Sequence, residues 1–93
     1  MMEIFWTMLA SQDRKRIRGY IAEQNLMAAV AMDQRISDSA GSLAEQPYKG
    51  RHGRAEGTRE LVIHPHFVLV YEVDKQGGKV YILRVLHTAQ KWP

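Results

Sequence analysis

The chain has 93 residues, 45% of them hydrophobic and 25% charged, with no cysteine and a formal net charge of +3. That length suits one small domain, residues 1–93, burying about two-thirds of its unfolded surface; the absent cysteines exclude a disulfide framework, a thiolate metal site and a thiol nucleophile. No apolar run reaches the roughly 20 residues of a membrane span and the start MMEIFWTMLAS lacks a cationic leader, so the expectation is a cytoplasmic protein with no membrane contact, whose mild basicity suits an anionic partner, nucleic acid or an acidic protein.

Glu3 to Trp6 (EIFW) is a short β-prone run with Ile4 and Trp6 on one face. Thr7 can cap a helix expected over Met8 to Gln24, with Ala10, Ile17, Tyr20 and Ile21 near one stripe. Its run DRKRIR (Asp13 to Arg18) resembles a nucleic-acid patch, but the amphipathic period favours the solvated face of a helix. Asn25 can stop this helix and cap a second, expected from Leu26 to about Ala44, whose apolar stripe is Ala29, Met32, Ile36, Ala40 and Leu43. The short connection predicts an antiparallel helical hairpin.

Gln46-Pro47 ends the second helix. The following segment, PYKGRHGRAEG (Pro47 to Gly57), holds three glycines, three cations besides His52, and almost nothing apolar. It reads as a mobile loop rather than a strand. The GxxxxGK[ST] spacing of a P-loop is absent, although backbone N–H groups and guanidinium forks in such a loop can approach phosphates. Three β-rich runs close the chain: Thr58 to Ile63, Phe67 to Val73 and Lys79 to about His87. His64-Pro65-His66 breaks the first from the second. FVLVYEV (Phe67 to Val73) is apolar almost throughout and reads as a central strand covered on both faces. Asp74 to Gly78 supplies a hairpin loop. The short links give an antiparallel meander. The predicted architecture is α+β: an N-terminal strand and a helical hairpin packed on a mainly antiparallel sheet.

Several residues could carry chemistry. Arg84 is a cation within an apolar strand. It would either pair with a carboxylate, Glu60 and Glu72 being the available ones, or point into an anion site. His64 and His66 flank Pro65, His87 ends the last run and His52 lies in the basic loop. A third ligand at suitable spacing is missing, so no metal is expected. Imidazole is the natural proton carrier near neutral pH, and RNA cleavage needs one group to deprotonate a 2′-hydroxyl and another to protonate the leaving oxygen. Cations such as Arg59, Arg84 and Lys91 would stabilise charge on the phosphate. Strand parity puts Arg84 and His87 on opposite faces unless the strand ends or bulges between them. Trp92 either stacks on a base or packs against the core or a partner.

The ordered set GRxGRxxGTREL (Gly50 to Leu61), FVLVYEV and ILRVLHTAQKW (Ile82 to Trp92), behind a strand and a helical hairpin, resembles the RelE/ParE superfamily of toxins from type II toxin–antitoxin modules. The resemblance covers nearly the whole chain. It implies a small α/β toxin neutralised by a cognate antitoxin that wraps it. RelE-like members cleave mRNA in the ribosomal A site, whereas ParE-like members poison DNA gyrase. Many of the nucleases carry arginine second in the central strand, where this chain has Val68; YafQ-like nucleases work instead with histidines and an acid near the strand break and the C-terminal end. The first expectation is therefore a ribosome-dependent mRNA endonuclease (an mRNA interferase) that needs no cofactor. His87 would be its acid or base, with His64 and His66 as further acid/base candidates. Arg59 and Arg84 would hold the scissile phosphate, and Lys49, Arg51, Arg54, Lys91 and Trp92 would contact RNA. The alternatives are a non-catalytic inhibitor of gyrase and a degenerate member that only binds its antitoxin.

Overall fold

A computed structural model describes residues 1–90 and Trp92. Strand β1 (Glu3–Trp6) leads through Thr7 into helix α1 (Met8–Ala22), which the connection around Asn25 joins to helix α2 (Leu26–Ser42). Thr7 works at both ends of its side chain: Oγ1 accepts from the Ala10 N–H at 3.2 Å and donates to the Ile82 carbonyl at 2.7 Å, so one residue starts the helix and ties it to the sheet. Asn25 Oδ1 accepts from the Ala28 N–H at 3.0 Å and starts α2 in the same way. Asp33 on α2 receives Arg14 at 2.7 Å and Arg18 at 3.3 Å, both from α1, which pins the hairpin shut.

Four further strands follow: β2 (Arg51–His52), β3 (Arg59–His64), β4 (Phe67–Asp74) and β5 (Lys79–His87). Their order in the sheet is β1-β5-β4-β3-β2, with β1 parallel to β5 and every other pair antiparallel. The expected meander is therefore present, and β4 is its central strand. The basic segment is not wholly a loop, because Arg51 pairs with Glu60 and His52 with Arg59. Backbone donors help to hold it there: the Gly50 N–H donates to the Tyr71 hydroxyl at 2.9 Å and the Gly53 N–H to the Thr58 carbonyl at 2.8 Å.

The sheet is apolar on both faces. Leu69, Tyr71, Val80, Ile82 and Val85 pack under the helices with Ala10, Ile36, Ala40 and Leu43. Val68, Val70 and Leu86 lie on the other face, covered by Leu83 and Trp92. A bulge in β5 reconciles the two sets: Tyr71 pairs with Ile82 and Val70 with Arg84, so Leu83 is the extra residue. Ile82 and Val85, three apart, consequently share a face. The α2 stripe packs as its period predicts, but two expectations for α1 fail. Tyr20 is 68% exposed, and Asp13, assigned to the solvated face, is completely buried.

Candidate functional site

β1 ends at Trp6, opposite Ile82, so the outer edge of β5 loses its strand partner just before Arg84. Asp13 fills that place. Its Oδ2 accepts the Val85 backbone N–H at 3.0 Å and Arg84 Nε at 2.7 Å, and its Oδ1 accepts the second Arg84 nitrogen at 3.0 Å and Arg16 at 2.7 Å. Burial pushes the Asp13 carboxyl up, but the Arg84 and Val85 bonds and the charges of Arg84 and Arg16 outweigh it, so the group ionises below the usual carboxylate range. Arg84 in turn is held above its ordinary value, first by its hydrogen bond to Asp13. The partner of Arg84 is thus neither Glu60 nor Glu72. Glu60 is occupied by Arg51 at 3.1 Å and by the Arg54 N–H at 3.1 Å, while Glu72 is exposed. A signal for the pair was available: Ala10, Asp13 and Ile17 fall on one helical stripe, and Asp13 is the single acid in a run of cations.

Arg59 is engaged as well. Its guanidinium donates to the carbonyls of Tyr48 at 3.1 Å and Gly50 at 2.8 Å and lies over the Tyr48 ring. It pairs with Tyr71 in the sheet, whereas His87 pairs with Phe67. Four residues along β4 separate these points by about 13 Å. Arg59, Arg84 and His87 therefore do not form one cluster. The bulge at Leu83 lies before Arg84, so it leaves Arg84 and His87 on opposite faces, as strand parity requires.

The three C-terminal histidines do come together. The Thr88 N–H donates to the His66 carbonyl at 2.8 Å, which fastens the end of β5 to the β3–β4 turn. The His66 and His87 rings stack with centroids 5.7 Å apart and planes 9° apart; His64 lies 5.4 Å from His66, and Phe67 meets His87 edge-on. His64 Nδ1 accepts from the His66 N–H and His87 Nδ1 from the Ala89 N–H. Each neutral ring then carries its proton on Nε2. His87 and His66 are exposed. Among the described residues no three acidic or imidazole side chains converge as a metal site.

Lys49, Arg51 and Arg54 are exposed on the β2 side, with Arg51 tethered to Glu60. Trp92 lies on the face away from the helices, its indole N–H buried with no hydrogen-bond partner among the described residues and its ring 5.9 Å from the Arg84 guanidinium. Its packing is that of a cover over Val68, Val70 and Leu86. Lys91, the remaining candidate for RNA contact, lies outside the described residues.

Residues 4–92 match the family described as ParE toxin of type II toxin-antitoxin system, parDE. The chain is 40% identical over 90 residues to toxin RelE2 of Caulobacter vibrioides, covering 97% of this chain and 99% of that one. Among solved structures it resembles the chromosomal ParDE TA system from P. aeruginosa, with a TM-score of 0.78, 25% identity, and 94% and 96% of the two chains covered. The toxin-antitoxin complex RelBE2 from Mycobacterium tuberculosis aligns at a TM-score of 0.61 and 27% identity, over 92% of this chain and 96% of that one.

Proposed function

The chain belongs to the ParE toxin family, within the RelE/ParE superfamily of type II toxin–antitoxin toxins, and from that premise we propose that it acts by binding rather than by cutting, as a non-catalytic inhibitor of DNA gyrase neutralised by its cognate antitoxin. One observation carries this reading. Arg84 is turned onto the buried Asp13 carboxylate through Nε and one terminal nitrogen, and the other candidate phosphate ligand, Arg59, donates to two backbone carbonyls through one of its terminal nitrogens. A nuclease needs an unengaged cation beside its acid and base to meet the charge that grows on phosphorus. Here the imidazoles stand at one end of the sheet and Arg84 and Arg59 are held elsewhere, while the arginines that share a cavity with His87 are Arg16, paired with Asp13, Arg51, paired with Glu60, and Arg54. The exposed cations Lys49, Arg51 and Arg54 then serve as a contact surface for an acidic protein or for DNA backbone. Either target places the toxin in the cytoplasm.

The test is a supercoiling assay with purified toxin and gyrase, run beside translation of a defined mRNA. The expected result is loss of supercoiling with the message intact, and a reduction of no more than about threefold in potency for His87→Ala, in keeping with a rim contact. Supercoiling that proceeds normally would end this proposal.

The stacked His66–His87 pair favours a second reading, the mRNA interferase. His87 would be the acid or base, with His64 and His66 beside it. Lys49, Arg51, Arg54, Lys91 and Trp92 would hold RNA. Cuts that appear only on translated message, and disappear with His87→Ala, would establish that reading; the loss expected of an acid–base residue is about 100-fold or more.

A further inference from the structure

Both helices pack on one face of the sheet. Among the described residues, Trp92 is what lies over the centre of the other face. To either side of it Phe5 on β1 is 37% exposed and Val62 on β3 is 53% exposed. Alternation puts both on this second face, since Ile4, Trp6, Leu61 and Ile63 point to the helices. Phe5 stands beside Tyr81, with ring centroids 5.8 Å apart. A sheet with helices on one side and such a row on the other is half of a two-layer packing.

Charge says what supplies the other half. The strands run β1-β5-β4-β3-β2, and the two ends of this face differ in sign. Toward β1, Glu3 and Asp74 flank Lys79 in register and Glu72 pairs with Tyr81. Three acids thus stand there against one strand cation, which leans over the Phe5 ring at 5.2 Å. Toward β2 stand Arg51 and Arg54, which share a cavity with Val68, Val70 and Trp92. The acid between them, Glu60, is buried and already accepts from the Arg51 side chain and the Arg54 N–H. The two ends lie about 19 Å apart, four strand spacings, and at the same height. Phe5, Tyr81 and Glu72 form one row across the sheet, and Arg51 and Arg54 flank the continuation of that row on β2.

We infer that this face is closed by a second copy of the chain, sheet against sheet, about a two-fold axis parallel to the strands. Such an axis lays β1 of each copy over β2 of the other, so Glu3 and the Phe5 ring meet the guanidinium groups of Arg51 and Arg54 twice over. An axis across the strands would set β1 on β1 and β2 on β2, like charge on like. β4 lies on the axis, so Glu72 meets its own copy, the one repulsion in the pairing. The dimer covers Arg51 and Arg54, the cations assigned above to the target, and so withholds them from it. The pairing itself does not depend on which target the toxin attacks.

The experiment is sedimentation equilibrium of the full-length toxin, freed from its antitoxin, over a range of concentrations. The parent should show a monomer–dimer equilibrium that weakens as salt is added. Arg54→Glu and Glu3→Arg should each raise the dimer dissociation constant at least about tenfold, because each sets like charges together at two places. The two changes in one chain restore the opposite signs and should bring the constant back to within about threefold of the parent. Glu72→Gln should tighten the dimer by removing the repulsion on the axis. Met27→Glu, a charge placed on α2 at a position 78% exposed, should stay within about twofold. A toxin that remains monomeric at about 1 mM, a loss at Met27→Glu equal to that at Arg54→Glu, or a reversed pair that is no better than either single change would each overturn the assignment. So would a dimer that ignores both charge reversals, which would place its interface elsewhere. Thermal melts establish that the variants fold; Arg54→Ala and Glu3→Ala, each expected to weaken the dimer by a smaller factor, replace any reversal that does not. Because the readout is association of the purified toxin alone, a toxin that leaves gyrase untouched in its own assay does not affect the result.

Discussion

A carboxylate with no access to water must have its charge answered locally, and Asp13 is met by the Val85 N–H, two nitrogens of Arg84 and one of Arg16. Removing one member leaves the other charged in a dry place. Arg84→Ala should therefore destabilise the fold by about 3–5 kcal/mol, measured by urea unfolding. Asp13→Asn combined with Arg84→Ala should lose less than the sum of the single changes, with a coupling on the order of 0.5–3 kcal/mol; strict additivity would show that the pair contributes nothing as a pair. The same bond sets a pH dependence. The folded-state value of Asp13 lies below the usual 3.8, so its contribution is complete above that value and is lost as the pH falls through the lower folded one. Asp33, lowered chiefly by its hydrogen bond from Arg14, acts in the same direction. The urea midpoint should be nearly flat from about pH 7 to pH 5 and drop below about pH 4, and Asp13→Asn should blunt that drop. Any loss of toxicity in Arg84→Ala is then to be compared with its folded fraction before a role in chemistry is assigned. The sequence showed Arg84 to be out of place in its strand and put Asp13 on the stripe of Ala10 and Ile17, but that these two residues, 71 apart, meet is decided only by how α1 packs on β5.

Among the elements, the clasp between the basic segment and the sheet rests on a very close approach. A Cβ placed on Gly50 would lie 2.6 Å from the Tyr71 hydroxyl and 2.9 Å from the Glu60 carbonyl oxygen, which belongs to backbone and cannot swing aside. Gly50→Ala should cost about 1–3 kcal/mol through overpacking. Tyr71→Phe should cost a similar amount, about 1–3 kcal/mol, by leaving the Gly50 N–H without its acceptor. Thermal unfolding of the two variants checks both; an unchanged melting temperature in Gly50→Ala would mean that β2 peels off the edge at little expense. Both helices and the four longer strands were legible in the sequence because period and punctuation agree there: Thr7 and Asn25 cap and Gly78 turns with φ of +68°, although α2 ends at Ser42, before the stop expected at Gln46-Pro47. β2 was not legible, since two residues have no period and its pairing is imposed by Tyr71, 21 residues away. The β5 bulge was equally hidden, because the apolar run from Val80 to Leu86 fits either face until the helices select Ile82 and Val85 together.

At the scale of the whole molecule the sheet joins the two ends of the chain, β1 beside β5, with Thr7 and Ile82 bonded across 75 residues. Such a long closure should be the first part of the sheet to open. Native-state hydrogen exchange is expected to show weaker protection at Glu3–Trp6 than at Val68–Tyr71 in the centre of β4; uniform protection would mean that the sheet opens only as a unit. The family was readable from the order of motifs along nearly the whole chain, whereas the site was not, because Arg59, Arg84 and His87 stand close in sequence pattern and apart in space.

That closure also has a meaning in time. A chain emerging at about 5–20 residues per second releases β1 on the order of 4–15 s before the segment it pairs with. Throughout that interval Asp13 has neither Arg84 nor Val85 to meet its charge, and Ala10 and Ile17 beside it lack the strands they pack on. The last strand to be made thus supplies both the counter-charge and the apolar floor of the first helix, so α1 has its buried acid and its packing face answered in one step.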